Sequence, residues 1–200
     1  MRHRERSGGP ASPLPRATVF LDRDGVINRR LEGSYVRSWS EFEFLPGVTE
    51  ALRRLAQAGY RLVVVTNQRG VARGQMSDAD LSLIHDRMLE EARLAGGPIA
   101  AVYYCPHEMG ECRCRKPDTG LFLEARRDFP DIDFPTSTVI GDSPSDMEAG
   151  LRLGCRTVFI GERERMPCAP TLYEAVDRLL ESPASLSPPG ANDRPPVRES

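Results

Sequence analysis

Lysine is almost missing from this chain: of 27 basic residues, only Lys116 is not an arginine. Basic charge does not dominate either, because 29 acidic residues leave a formal net charge of −2. Proteins that grip nucleic acid need a basic footprint to displace counterions, so a small-molecule partner is expected and a nucleic-acid partner is not. No apolar run reaches the ~18 residues that span a bilayer. The Arg-, Ser- and Pro-rich stretch 1–15 has no apolar core of a secretory leader. A cytoplasmic monomer with no membrane partner is the resulting expectation. The five cysteines are an odd number, and with no leader they do not suggest a disulfide framework. An internal repeat is also lacking.

What remains is an ordinary globular composition, 40% apolar and 28% charged, and 200 residues fit one domain with tails. Residues 1–16 and 182–200 are rich in Pro, Ser, Gly and Arg and too poor in apolar residues to offset their ordering entropy. Both are expected to be disordered tails around a domain over 17–181. Within it, β-branched runs at Thr18–Leu21, Leu62–Val65, Ile99–Tyr104, Ser137–Ile140 and Thr157–Ile160 read as strands. They alternate with helical patterns at Val48–Ala58, Asp78–Leu94, Gly120–Phe129, Ser145–Leu153 and Leu172–Leu180. Ser77 with Asp80 resembles a capping box, and Gly59 and Gly154 stand where helices should stop. Alternation of this kind gives an α/β fold, a Rossmann-like parallel sheet with helices on both faces. Such sheets build their sites outside the carboxyl ends of the strands. There the chain places Asp22, Thr66-Asn67 and Asp142.

Four motifs carry chemistry. Asp22-Arg23-Asp24-Gly25 follows an apolar strand and precedes a glycine, whereas Asp78/Asp80 read as a helix cap and Asp131/Asp133 as a loop. Two carboxylates at such a place call for a cation or ligand. Asp142, after Val139-Ile140-Gly141, adds a third carboxylate, and hard oxygen ligands with room for water and phosphate suit Mg²⁺. Its local alternative is a strand-to-helix turn with Ser143 or Ser145 as N-cap. Arg115-Lys116-Pro117 could be a solvated surface pair. A lysine kept in so arginine-biased a chain points instead to a need for a compact point charge. Finally, Cys105-Pro106-His107 and Cys112-Arg113-Cys114 each present two ligands on one side of an extended arm. Three thiolates and an imidazole make a closed tetrahedral set, the pattern of structural Zn²⁺. His85, Cys155 and Cys168 read as structural.

FLDRDGVIN (20–28), EFLPGV (43–48), VVVTNQRGVARG (63–74), YYCPHEMGECRCRKPDTG (103–120) and VIGDSPSD (139–146) together resemble the haloacid-dehalogenase-like (HAD) phosphatases. More narrowly they resemble the D-glycero-D-manno-heptose 1,7-bisphosphate phosphatase and histidinol-phosphatase branch. The resemblance implies Asp22 as nucleophile, Asp24 as general acid and then base, and Thr66 and Lys116 on the phosphoryl oxygens. It implies Asp22, the Asp24 carbonyl and Asp142 around Mg²⁺, with Asn67, Gln68 and Arg115 facing a phosphorylated sugar. No large cap domain fits between Asp24 and Thr66, so the cysteine loop and the 29–44 loop are left to shape the entrance. Ser143 departs from the heptose branch, which usually has lysine there. Removal of the C7 phosphate of heptose 1,7-bisphosphate is the expected activity. Histidinol-phosphate hydrolysis is the alternative, and a non-catalytic zinc-binding module is the alternative from another class.

Overall fold

A computed structural model describes residues 2–4, 17–161 and 167–181. In chain order these form β1 (Arg2–Arg4), β2 (Thr18–Leu21), α1 (Val48–Gln57), β3 (Arg61–Asn67), α2 (Asp78–Leu94) and β4 (Ala101–Cys105). Then come α3 (Gly120–Asp128), β5 (Thr138–Gly141), α4 (Pro144–Leu153), β6 (Arg156–Ile160), β7 (Cys168–Ala169) and α5 (Leu172–Glu181). One sheet holds the strands in the order β1-β4-β3-β2-β5-β6-β7. The six from β4 to β7 run parallel, and β1 pairs antiparallel on the β4 edge. The expected tail over 182–200 lies outside the described residues, as does most of 1–16, within which Arg2–Arg4 form that edge strand.

Period-two alternation separates the two cores. Val19, Leu21, Leu62 and Val64 face a layer built from α1, α2 and α5, including Leu52, Leu55, Met88 and Leu179. Phe20, Val63 and Val65 face the other side, where Leu121, Phe122 and Ala125 of α3 and Ala149 of α4 pack. Phe20 meets Phe122 edge-on at 5.0 Å between ring centroids. Truncating such a buried ring to alanine costs about 3–5 kcal/mol, so these central strands anchor whatever follows them.

The helices start and stop where the polar residues dictate. Ser77 Oγ accepts from the Asp80 amide at 3.1 Å, and Asp80 accepts in return from the Ser77 amide at 3.0 Å. Gly154 ends α4 in the left-handed region. Between β2 and β3 stand only a loop with one short 3-10 turn and α1, so no cap domain is inserted there. No helix among the described residues is long and apolar enough to cross a membrane.

From β2 the chain winds outward to β3 and β4 on one side, then returns to β5, β6 and β7 on the other. The two directions diverge between β2 and β5. Leu21 is registered with Ile140, and the Asp22 amide donates to the Ile140 carbonyl at 3.0 Å. A crevice at the carboxyl ends follows from this reversal of strand order.

Candidate active site

At that crevice Asp22, 8% exposed, leaves the end of β2. Lys116 reaches it from 94 residues away, donating from Nζ to Asp22 Oδ1 at 2.9 Å and to the Val65 carbonyl at 2.6 Å. The same ammonium lies 2.5 Å from Asp146 Oδ1. Burial and the neighbouring carboxylates Asp146 and Asp24 push the Asp22 carboxyl above its usual range, against the pull of Lys116. Burial alone would lower Lys116, but the charges of Asp146 and Asp22 outweigh it and hold the ammonium above its usual range. Thr66, buried at the end of β3, lines the same cavity as Asp22 and Lys116. Asn67 braces the lysine's peptide reciprocally. Its Nδ2 donates to the Lys116 carbonyl at 3.1 Å, and its Oδ1 accepts from the Lys116 amide at 3.0 Å.

Asp24 is oriented by a different set. Arg23 Nη2 donates to both of its oxygens at 3.0 and 2.9 Å, Asn28 Nδ2 to Oδ1 at 2.9 Å, and Gln68 Nε2 to Oδ2 at 2.7 Å. Four hydrogen bonds from three donor groups fill the roughly four lone-pair positions that a carboxylate offers. Burial raises the Asp24 carboxyl, but the Arg23 charge and these hydrogen bonds outweigh it and leave it below the usual range. Gln68, expected to face substrate, is fully buried behind Asp24 and does not line the cavity. Its amide also donates to Thr66 Oγ1 at 3.1 Å, so it ties two site residues together from inside.

The carboxylates that could share a cation are Asp22, Asp142 and Asp146, with oxygens within 4.8 Å of one another. The side chain of Asp24 points away to its own donors, so its expected place at the metal rests on its carbonyl alone. Backbone beside it does approach closely. A Cβ on Gly25, whose φ is +92°, would sit 1.8 Å from Asp142 Oδ2, which accounts for the glycine in the first motif. A Cβ on Gly141 would likewise lie 2.3 Å from the Asp146 Cβ. Burial and the Asp22 charge raise the Asp142 carboxyl to about 7, although Arg30 at 2.9 Å opposes them. Four carboxylates thus meet only three cations, Lys116, Arg23 and Arg30, and burial with Asp22 nearby keeps the Asp142 carboxyl raised despite Arg30. A divalent cation fits that deficit.

Asp146 belongs to this cluster although its motif gives it no separate role. It lies four positions after Asp142 and is 1% exposed. Ser143 aims it, because the Ser143 amide and hydroxyl donate to Asp146 Oδ2 at 3.0 and 2.8 Å. The serine standing where the branch usually has lysine therefore caps α4 and orients a carboxylate. The i, i+3 pairing Ser143-x-x-Asp146 was the legible signal, since it is a capping box.

A cavity of about 460 Å³ opens outward from Asp22, Asp24, Thr66 and Lys116. Arg30, Arg69, Arg73 and Arg115 are on its wall. Arg29 is not; it pairs outside with Glu43 at 2.8 Å. Arg69 and Arg73 both reach Glu108 of the cysteine loop at 3.0 Å, so that loop is tied to the cavity rim.

The cysteine loop converges as its spacing predicts. Cys105, buried at the end of β4, has its sulfur 3.5 Å from that of Cys112, which lies 3.1 Å from Cys114 Sγ. His107 Nδ1 stands 3.3 Å from Cys114 Sγ and 3.7 Å from Cys105 Sγ. Bonds of about 2.3 Å put sulfurs about 3.7 Å apart around a tetrahedral ion; the Cys105–Cys112 separation is near that, and the Cys112–Cys114 separation is shorter. Burial and the neighbouring thiols push Cys114 up, and burial raises Cys105. Burial also opposes ionisation of Cys112, but hydrogen bonds from its neighbours bring it down to about 7. Thiols this close cannot all ionise without a cation among them, and the donor set suits a soft or borderline one.

Comparison with known proteins agrees with this geometry. The family model described as polynucleotide kinase 3 phosphatase matches residues 18–152. A D-glycero-alpha-D-manno-heptose-1,7-bisphosphate 7-phosphatase of Mycobacterium bovis is 44% identical over 149 residues, covering 72% of this chain and 78% of the relative. A D-glycero-beta-D-manno-heptose-1,7-bisphosphate 7-phosphatase of Escherichia coli K12 is 38% identical over 176 residues, covering 84% of this chain and 90% of the relative. The crystal structure of D,D-heptose 1,7-bisphosphate phosphatase from B. bronchiseptica, complexed with magnesium and phosphate, superposes with a TM-score of 0.76 at 33% identity. That match covers 83% of this chain and 99% of the other. Fold and site together define a phosphatase of the HAD class. Within it, the chain belongs to the family of the heptose bisphosphate phosphatases, as its motifs implied.

Proposed function

We propose that this protein removes the C7 phosphate of D-glycero-D-manno-heptose 1,7-bisphosphate through an aspartyl-phosphate at Asp22. The observation that carries the reading is the buried Asp22–Lys116 pair at the strand ends, 2.9 Å apart, with Thr66 and Asp24 on the same cavity. A carboxylate oxygen of Asp22 attacks phosphorus, and the bond from phosphorus to the sugar oxygen breaks. Asp24 supplies the proton that the leaving oxygen takes up. Water then attacks the phosphoryl group, giving its proton to Asp24, and the bond to Asp22 breaks to release inorganic phosphate. Lys116 and Thr66 hold the phosphoryl oxygens while Asn67 keeps the lysine's peptide in place. Arg115 meets the sugar. Asp22, Asp142, Asp146 and the Asp24 carbonyl would hold Mg²⁺, which when bound offsets charge on the phosphoryl oxygens. Cys105, His107, Cys112 and Cys114 would hold a structural Zn²⁺. A reducing cytoplasm would keep those thiols available.

The wall of arginines favours a substrate with a second phosphate, because guanidinium forks grip phosphate bidentately. Binding energy from that remote group can orient the reacting one. Histidinol phosphate brings a cationic amine to the same wall. The deciding measurement is kcat/KM, at equal ionic strength, for both anomers of heptose 1,7-bisphosphate, histidinol phosphate and a 3′-phosphorylated oligonucleotide. The bisphosphate is expected to lead. A lead by histidinol phosphate or the oligonucleotide would overturn the substrate and leave Asp22 standing as nucleophile.

A further inference from the structure

Arg23 is the largest fully buried side chain among the described residues, with no exposure to solvent. A guanidinium in such a place carries a fixed charge that only its neighbours can offset. One face of it is spent on Asp24, both of whose oxygens accept from Nη2. Nη1 lies 3.1 Å from Nε2 of His85, which is equally buried on α2 and 62 residues away in sequence. Arginine offers donors only, so Nε2 of His85 has to be the acceptor, which places the ring proton on Nδ1 and leaves the imidazole neutral. The ring also packs against Tyr104 of β4, 5.4 Å between centroids.

The choice of a neutral acceptor has a consequence. A second carboxylate at His85 would divide the guanidinium's charge and repel Asp24, whereas imidazole accepts one N–H and leaves the charge to Asp24. We propose that His85, held on α2, is a positioning residue that sets the Arg23 fork and through it the orientation of the Asp24 carboxyl toward the leaving group. The inference rests on Asp24 serving as the acid, as proposed above. His85 touches neither substrate nor the reacting atoms. Its effect travels through one guanidinium.

The test exploits leaving-group chemistry. The rate constant kcat/KM covers steps up to departure of the leaving group, and nitrophenolate departs without a proton whereas a sugar alkoxide needs one. His85→Leu removes the acceptor, and His85→Gln keeps one. A mispositioned acid in His85→Leu should lower kcat/KM on the sugar phosphate by about 10- to 100-fold while nitrophenyl phosphate changes by no more than about threefold. His85→Gln should restore much of the ratio. Because the readout is a ratio, a reduced fraction of folded enzyme cancels. Arg23→Lys, which keeps the charge without the fork, should split the two substrates in the same direction if the leucine variant fails to fold. Asp24→Asn supplies the reference split. An equal loss on both substrates in the His85 and Arg23 variants, with Asp24→Asn still split, would overturn the clamp alone. No split even in Asp24→Asn would overturn the acid role, and the clamp with it.

Discussion

At the scale of single residues, Lys116 shows why a side chain's shape can matter as much as its charge. Its ammonium has three donors, and three oxygens surround it: Asp22 Oδ1, the Val65 carbonyl and Asp146 Oδ1, at 2.9, 2.6 and 2.5 Å. With 4% exposure there is no room for a planar fork in the same place. Lys116→Arg should therefore lower kcat by about 100-fold or more, the scale on which one pre-placed electrostatic group contributes. Circular dichroism would show whether the variant is folded, and near-normal kcat in a folded variant would mean that the point charge is dispensable. The lone lysine was legible from composition, but its partner Asp146 was not. In sequence the turn offers only Ser143 or Ser145 as N-cap; in the fold Asp146 accepts from the Ser143 amide and also meets the lysine.

At the scale of elements, the cysteine loop between β4 and α3 does two jobs. Its ligands gather at one point, while Glu108 grips Arg69 and Arg73 on the cavity rim. A bound ion would supply the ordering energy of so short a loop, which has little apolar surface to bury. Protein purified without added zinc is expected to carry about one zinc per chain, measured by elemental analysis. Stripping it with a chelator should expose the loop to proteolysis and raise KM, since the rim arginines lose their anchor, even though no zinc ligand touches the reacting atoms. A stripped protein with an intact loop and unchanged KM would show that the four ligands serve some other purpose. This cluster is almost wholly legible in sequence, because spacing along the ten residues from Cys105 to Cys114 is a local matter. The strand carrying Cys105 ends one residue later than its apolar run suggested, since the pairing of Asn67 with Cys105 extends the ladder.

At the scale of the whole molecule, the carboxylates brought together at the sheet edge link stability to pH and to metal. In the absence of a cation, Asp142 has its carboxyl raised to about 7, from an ordinary 3.8, chiefly by burial and by Asp22. The folded form then binds a proton more tightly than the unfolded chain. That contribution to stability is fully present below the unfolded value and is lost as pH rises through about 7. Asp22 is shifted in the same sense, while Asp24, held low by Arg23, Asn28 and Gln68, acts in the opposite sense and only at acid pH. A Mg²⁺ held by the deprotonated cluster, as proposed, should raise Tm by several degrees more at about pH 8 than at about pH 5.5. Thermal melts with and without the ion check this. An increment independent of pH would place the cation elsewhere.

Sequence alone determined the alternation of strands and helices, the motifs at the strand ends and the clustering of Cys105, His107, Cys112 and Cys114. Each of these is written in short-range periodicity or spacing, which the backbone's two repeats translate directly into geometry. Tertiary structure decided the rest. The two-residue β7 and the three-residue β1 have too few positions for a period to show, and exist only because neighbouring strands offer open edges. Gln68 turned inward to Asp24 instead of outward to substrate, a choice made by the packing around β3 and invisible in the motif around it. The Arg23–His85 contact joins residues 62 positions apart. No local pattern announces such a pair, because what fixes it is the burial of a charge that has to find its acceptor wherever the fold brings one near.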